Sequence, residues 1–306
     1  MKAAIHTTYG PPEVLKVMEV EKPQPKANEI LVKIEFATVT SGDVRLRGSD
    51  FPPLFWLPAR LIFGLFRPKK QILGHELSGI VEAIGSNVTQ FKIGDAVLGT
   101  TTMLRSGSHA QYVCLKETWK QGVVIHKPKE LSFKEAAALP VGGMTALFLL
   151  KKAGIKKEMN VLVHGASGSV GSYALQIAKA YGATVTTVSS GSNFDMLRSL
   201  GADTMLDYKK EDYTASEHRY DIVFDAVGKT SKSKAKTVLK ANGAFVSITS
   251  ITSEKMEHLQ EVVDLALKGK VKPFIDKEFS LDQIVAAHRY VETGRKRGNV
   301  VITIVN

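Results

Sequence analysis

Over residues 1 to about 120, short stretches alternate apolar and polar positions or run β-branched residues together. EILVKIEFATV (29–39), GHELSGIVEAIG (74–85), FKIGDAVLG (91–99) and AQYVCLK (110–116) are divided by Gly, Asp and Asn. MKAAIHTTYG reads as a first strand, so this part is predicted to be β-rich. The spacing turns helical in LSFKEAAALPVGGMTALFLLKKAG (131–154), and from Asn160 strands and helices alternate. NVLVHG (160–165), TVTTVSS (184–190), TMLDY (204–208), DIVFDAVG (221–228) and GAFVSIT (243–249) are the expected strands. Helix-like segments of this length between strands imply an α/β fold with a parallel, doubly wound sheet. The tail reads as helix EHLQEVVDLALKG, strand KVKPFID, helix LDQIVAAHRYVETG and strand NVVITIV.

The strand NVLVHG runs into Gly165-Ala166-Ser167-Gly168-Ser169-Val170-Gly171 and then a helix, whose Val170, Ala174, Ile177 and Ala178 would form one buried face. This is G-x-G-x-x-G with Ala166 in the first glycine place. Gly168 would admit a pyrophosphate, Gly171 would let helix and strand close up, and the helix N-terminus would supply N–H groups and a positive dipole end. His164 reads as packing. An NAD enzyme usually ends its second strand on an acid for the ribose 2′-hydroxyl. Here that end offers Ser189, Ser190, Ser192 and Asn193, and Tyr208 and Lys209 follow the third strand. These favour the 2′-phosphate of NADP, unless the serines merely cap a helix beginning near Asn193.

Composition is that of an ordinary globular chain, 44% hydrophobic and 23% charged over 306 residues, enough for two domains. MKAAIHTTYG lacks the apolar core of a secretory leader, so none is expected, and no apolar run reaches roughly 18 residues. The single cysteine, Cys114, lies in a strand pattern; it reads as an inert buried thiol and fits a reducing, cytoplasmic setting. The net charge of +11 is scattered, including the RKR run at 295–297, and reads as solvated faces rather than a nucleic-acid surface.

With these stretches read, YGPPEVLKV, ILGHELSGIVEAIGSNVTQFKIGDAVLG, EAAALPVGGMTAL, VHGASGSVGSYALQIAK, SLGADTMLDY, YDIVFDAVG and GRKRGNVVI together resemble the zinc-free, quinone oxidoreductase-like (zeta-crystallin-like) branch of the medium-chain dehydrogenase/reductases. The resemblance implies a GroES-like catalytic domain (1–125 and 271–306) and a Rossmann NADP-binding domain (126–270). It implies nicotinamide-facing positions in VTSGD, namely Thr40, Ser41 and Asp43, and Thr145 in GGMTA. It also implies cofactor contacts from Ala226, Val227 and Gly228 and from Thr249 and Ser250. Many relatives carry Asn where this chain has Thr40. A sixth Rossmann strand usually joins two subunits in the family, but SITSEKM leaves no room for one, a strand averaging about 5–6 residues. Five strands are therefore expected, with the edge short or covered by EHLQEVVDLALKG, and the protein a monomer or a weak dimer through another face.

Zinc-dependent relatives hold their metal with a Cys, the His of GHE and a further Cys or acid. Here the first position is Ser41 and the last falls in ALPVGGMTA, leaving only His75, so no metal is expected. GHELSG then reads as a turn into a strand, with Gly74 and Gly79 shaping the backbone and His75 and Glu76 paired with backbone or carboxylate. The implied reaction is NADPH-dependent hydride transfer to a quinone or α,β-unsaturated carbonyl, whose developing oxygen needs only hydrogen-bond donors. The alternative is a non-catalytic NADPH-binding redox sensor or partner-binding protein. FPPLFWLPARLIFGLFRP (51–68) reads either as core packing under a long loop or as an apolar lid for a hydrophobic quinone or enone, in at most peripheral contact with a membrane.

Overall fold

The structure, a computed structural model, describes residues 1–101, 105–119 and 122–304; Val305, expected at the end of the last strand, lies outside them. In chain order the strands and helices are β1 (Lys2–Ile5), β2 (Lys16–Glu19), β3 (Glu29–Thr38), α1 (Ser41–Gly48), α2 (Pro53–Phe63), β4 (Glu76–Ile84), β5 (Ala96–Thr100), β6 (Tyr112–Lys116) and β7 (Val124–His126). They continue with α3 (Phe133–Ala138), α4 (Pro140–Lys152), β8 (Asn160–His164), α5 (Ser169–Ala180), β9 (Thr184–Ser189), α6 (Phe194–Ser199) and β10 (Thr204–Asp207). The last are β11 (Tyr220–Asp225), α7 (Lys232–Ala235), β12 (Leu239–Ser247), α8 (Met256–Leu267), β13 (Ile275–Ser280), α9 (Ile284–Glu292) and β14 (Asn299–Thr303).

The chain forms two compact units, Met1–Pro140 with Ile275–Asn306, and Val141–Phe274. Both junctions lie later than 125/126 and 270/271. β7 pairs with β5, and α3 packs on β3 and β4, which keeps 126–140 with the first unit. Gln176 on α5 exchanges two hydrogen bonds with the backbone of Lys272, which keeps 270–274 with the second. The strand expected over KVKPFID accordingly starts only at Ile275, after Pro273, which has no N–H to give a ladder.

In the first unit the sheet runs β13-β14-β3-β4-β5-β7, with β6 also on β3. β3 is buried on both faces over most of its length, and its Ile30, Val32 and Ile34 lie in the core with Leu77, Val81, Leu115 and Ile302. Residues 51–68 are only in small part core: Phe51 and Phe63 pack against it and Ala59 is buried, while most large apolar side chains of the helix α2 at its centre, started by Pro52-Pro53 and closed by Gly64, are exposed.

The second unit has five parallel strands in the order β10-β9-β8-β11-β12, as the spacing after GAFVSIT required. α5 packs on β8 and β9 and is buried all round from Gly171 to Ala178 rather than on one face, because α4 closes on its other side. α8 does not take the expected place over the edge strand. Its Glu261 bonds Lys151 on α4 and Tyr181 beyond α5, and its Val262 meets Gly143. The edge β12 leaves Lys240, Ala241 and Asn242 exposed, and the charged Lys240, paired with Asp221, guards it instead.

Besides His75, three histidines are buried in the first unit. His109 Nε2 donates to the Thr38 carbonyl (2.9 Å), and the His109 ring lies edge-on to His288 at 5.5 Å. The fully buried Arg47 guanidinium donates to His288 Nδ1 (3.3 Å), which therefore carries no proton there, and His6 Nδ1 donates to the Gln71 carbonyl (2.9 Å). Burial holds all three below the ordinary 6.5, Arg47 adding to the effect at His6 and His288. As pH falls through 6.5, the unfolded chain takes up protons that the folded chain refuses, so stability is lost in that direction, by up to about 1.4 kcal/mol per pH unit for each histidine. Urea unfolding should therefore show a loss of more than about 2 kcal/mol between pH 7.5 and 5.5; a flat or rising stability over that interval would contradict the neutral cluster.

Candidate active site

In the first unit the candidate residues Thr40, Ser41 and Asp43 open α1. Thr40 is its N-cap: Asp43 N–H donates to Thr40 Oγ1 (3.1 Å), and Thr40 N–H returns to Asp43 Oδ2 (2.8 Å), a reciprocal capping box. Thr40 Oγ1 also donates to Asp43 Oδ2 (2.6 Å). The other carboxylate oxygen accepts from Gly74 N–H (2.8 Å) and stands 2.9 Å from His75 Nδ1. Burial alone would raise the Asp43 pKa, but the His75 imidazole, with His109 and Thr40 behind it, holds the group far below the usual carboxylate range. Asp43 is thus a positioning residue, fully buried and engaged on both oxygens, and not a group presented to a substrate. Ser41, by contrast, is exposed.

GHELSG is a turn into a strand. Gly74 has φ +99°, a region that side chains rarely adopt, and β4 begins at Glu76. Glu76 Oε1 accepts from Thr38 Oγ1 (2.5 Å). Among the described residues, no three His, Cys, Asp or Glu side chains gather into a group able to hold a metal ion. Cys114 is half-buried, and burial pushes its thiol up to about 11, as suits an inert group. The RKR run is not simply solvated: Lys296 is half-buried, its Nζ donates to the Gly298 carbonyl (2.6 Å), and burial lowers it to about 8 against the pull of Glu76 and Asp276. Arg297 is bound to Asp276 (3.0 Å). No sequence signal marks these two apart from other basic residues, because the partial burial of Lys296 and the pairing of the exposed Arg297 with Asp276 depend on residues about 20 positions away on β13.

In the second unit the glycine loop joins β8 to α5 where the strand order reverses between β8 and β11. Gly165 turns at φ +78° against Val227, and the buried Ala166 follows it. A Cβ on Gly171 would stand 2.3 Å from the Gly165 carbonyl, so only glycine lets α5 approach the strand. A Cβ on Gly168 would meet only the Gly165 carbonyl, at 3.7 Å, and Gly168 caps α5 without any side-chain bond. Ser167, Ser169 and Val170 are half-buried around it. This is the open, uncapped helix start that a pyrophosphate requires. α4 brings Gly142 against Ser169, with Thr145 half-buried one turn further on.

The other expected cofactor residues assemble at the same strand ends. Gly228, at φ +69°, lies against Thr249, and Ser250 N–H closes a turn on Ser247. A residue missed in the sequence organises this pair of loops. The buried Asp225 accepts from Val227 N–H (3.3 Å), Gly228 N–H (3.0 Å) and Ser247 Oγ (3.0 Å). His164 Nδ1 lies 3.5 Å from it, so His164 is part of this network as well as packed on Tyr213. At the end of β9, Ser189 is buried and turned onto the Ser190 carbonyl, while Ser190 Oγ meets Ser192 Oγ (3.1 Å). Neither Ser190 nor Asn193 caps a helix with its side chain. The exposed Tyr208 and Lys209 follow β10 beside them, Tyr208 N–H donating to the Ser189 carbonyl (3.1 Å). A second residue was missed here: Asp207, whose carboxylate lies beside Gly191 and accepts from Lys209 N–H (3.0 Å). Parallel pairing with Ser189 puts it there, across a separation that local pattern cannot read.

Residues 26–147 match the alcohol dehydrogenase GroES-like domain, and residues 169–283 the family described as zinc-binding dehydrogenase. The 2-methylene-furan-3-one reductase of Solanum lycopersicum is 36% identical over 99% of this chain and 79% of its own length. The chain belongs to the quinone oxidoreductase-like branch of the medium-chain dehydrogenase/reductases. A further relative in the family, the chloroplastic NADPH-dependent alkenal/one oxidoreductase of Arabidopsis thaliana, is 30% identical over 99% of this chain and 79% of its own. The solved quinone oxidoreductase from Coxiella burnetii superposes with a TM-score of 0.85 at 29% identity, covering 100% of this chain and 99% of that one.

Within this member of the family, Asp43 should behave as a structural anchor. Asp43→Ala strands the Thr40 and Gly74 amides and the His75 ring, and should cost about 3–5 kcal/mol in urea unfolding. Ser41→Ala, at an exposed position, should cost less than about 0.5 kcal/mol. Equal effects from the two would contradict the anchor role.

Proposed function

We propose that the protein is an NADPH-dependent reductase that delivers hydride to a quinone or α,β-unsaturated carbonyl without zinc. The observation that carries the cofactor choice is the end of β9, where Ser190, Ser192 and Asn193 offer polar groups not spent on capping, beside Tyr208 and Lys209. Asp207, tied to Lys209 N–H, shapes that turn. The relatives named for reducing furanones and alkenals, and the neighbour named a quinone oxidoreductase, support the substrate class and an enzyme over a sensor.

The residues fit a dinucleotide. The amides opening α5 and the Gly168 approach would take the pyrophosphate, and the Gly228–Thr249 pair, held by Asp225, would line the same strand ends. The bound cofactor supplies the hydride. The chain's own part is to orient the acceptor and meet the developing oxygen with hydrogen bonds. We assign that part to Ser41, exposed in the first turn of α1, whose dipole favours negative charge, and not to Thr40, whose hydroxyl proton and N–H are both given to Asp43. A donor set of Ser41 with a His75 already engaged by Asp43 supports chemistry without a metal.

We further read the protein as cytoplasmic and as a monomer or weak dimer, the second on the strength of its five-stranded sheet. Among the described residues no helix is long and apolar enough to cross a membrane. Light scattering at micromolar concentration tests the mass; a stable dimer with sheets continuous through β12 edges would refute this reading.

A panel of quinones and enones with NADPH and NADH in parallel tests the function. NADPH should bind at least tenfold more tightly, about 1.4 kcal/mol, activity should survive chelators, and Ser190→Asp should move the preference towards NADH. Equal affinities for the two dinucleotides, or no turnover on any member of the panel, would overturn it.

A further inference from the structure

The helix α2 breaks the rule that a surface helix turns its apolar side inward. Leu54 is 82% exposed, Phe55 61%, Leu57 53%, Leu61 57% and Ile62 53%, and just beyond the helix Phe66 is 88% exposed. At 100° per residue, the five on the helix fall on one broad arc with no charged member. The opposite side holds little. Ala59 is the buried residue of the helix, and Phe63 is half-buried and stacked on Phe51 at 5.8 Å. A cavity of about 100 Å³ adjoins the helix at its C-terminal end, lined in part by Tyr9, Leu46, Ile62, Phe63, Lys69 and Lys70. A contiguous apolar face of this kind on a water-soluble chain is a surface waiting for an apolar occupant.

Charge says which occupant. From Phe51 to Lys70 the sequence has four cations, Arg60, Arg67, Lys69 and Lys70, and no acid. Arg67, Lys69 and Lys70 are exposed just past the helix. Arg60 lies over the Tyr9 ring (4.0 Å) and near the Trp56 ring (5.3 Å), and donates to the Leu65 carbonyl, while Lys69 Nζ donates to the Leu61 carbonyl (2.8 Å). These bonds fix the basic rim to the C-terminal end of the helix. Two copies meeting face to face would bring these cations together with no carboxylate in either segment to offset them. An anionic bilayer offers both things the face lacks, acyl chains for the leucine and phenylalanine arc and phosphates for the rim. Eleven residues cannot span a bilayer, which needs about 20, so the helix would lie in the interface.

We propose that α2 with residues 65–70 is a docking surface for an anionic membrane, the helix lying flat with its apolar arc among the acyl chains and Arg67 and Lys70 on the phosphates. This rests on the helix and its charges alone and is independent of the reaction assigned above.

Co-sedimentation of the full chain with phosphatidylcholine vesicles, and with the same vesicles containing phosphatidylglycerol, tests it. Binding should be strong on the anionic vesicles, weak on the neutral ones, and reduced by salt. The triple variant Leu54→Ser, Phe55→Ser, Phe66→Ser should bind at least about tenfold more weakly, as should Arg67→Glu with Lys70→Glu. All five positions are exposed, and circular dichroism with a thermal melt verifies that both variants remain folded. Failure to sediment with either vesicle would overturn the proposal, as would equal binding to both lipids or binding untouched in the folded apolar variant. So would a wild-type dimer, seen by light scattering, that the apolar triple variant converts to monomer, since a second copy would then own the face.

Discussion

The Asp43 carboxylate is the point on which the candidate site in the first unit is hung. A buried carboxylate is costly unless several donors meet it. Asp43 meets Thr40 twice, the Gly74 amide and the His75 ring, so one charge fixes the start of α1 and the turn before β4 together. His75, with the Gly74 amide beside it, is part of this hydrogen-bonded brace. Ser41 stays at the surface because its neighbours, and not it, carry the bonds.

The second unit solves the same problem with a different carboxylate. Asp225 gathers two backbone amides and the Ser247 hydroxyl, and so holds the loops after β11 and β12 in register at the reversal of strand order. The glycine loop needs no such anchor. Its shape follows from the absence of Cβ atoms, since at Gly171 a methyl group would stand inside van der Waals contact with the Gly165 carbonyl. A rigid loop at a helix start without a side-chain cap suits phosphate recognition, because little order remains to be imposed on binding.

The helix α2 shows what pattern cannot convey. An apolar, proline-broken stretch with five aromatic residues has the composition of core or of lid, and nothing local tells inside from outside. Burial depends on whether other elements arrive to cover it. Here Phe51 and Phe63 stack on each other and against the core, Ala59 is buried, and most of the other large apolar side chains are left to water.

The sequence by itself determined the α/β class, the five parallel strands, the glycine loop and its helix, and the family, because these rest on local periodicity and on motifs read over consecutive residues. It also placed the serines at the end of β9 and the loops after β11 and β12 correctly on their strand ends. Only the tertiary structure decided which polar groups are braces and which are presented. Asp43 has its partners 31 residues away at Gly74, Asp207 comes to Ser189 through strand pairing, and Lys296 loses solvent to the sheet that forms around it. Solvation and pairing of such groups are set by contacts distant in sequence, and those contacts exist only once the chain has folded.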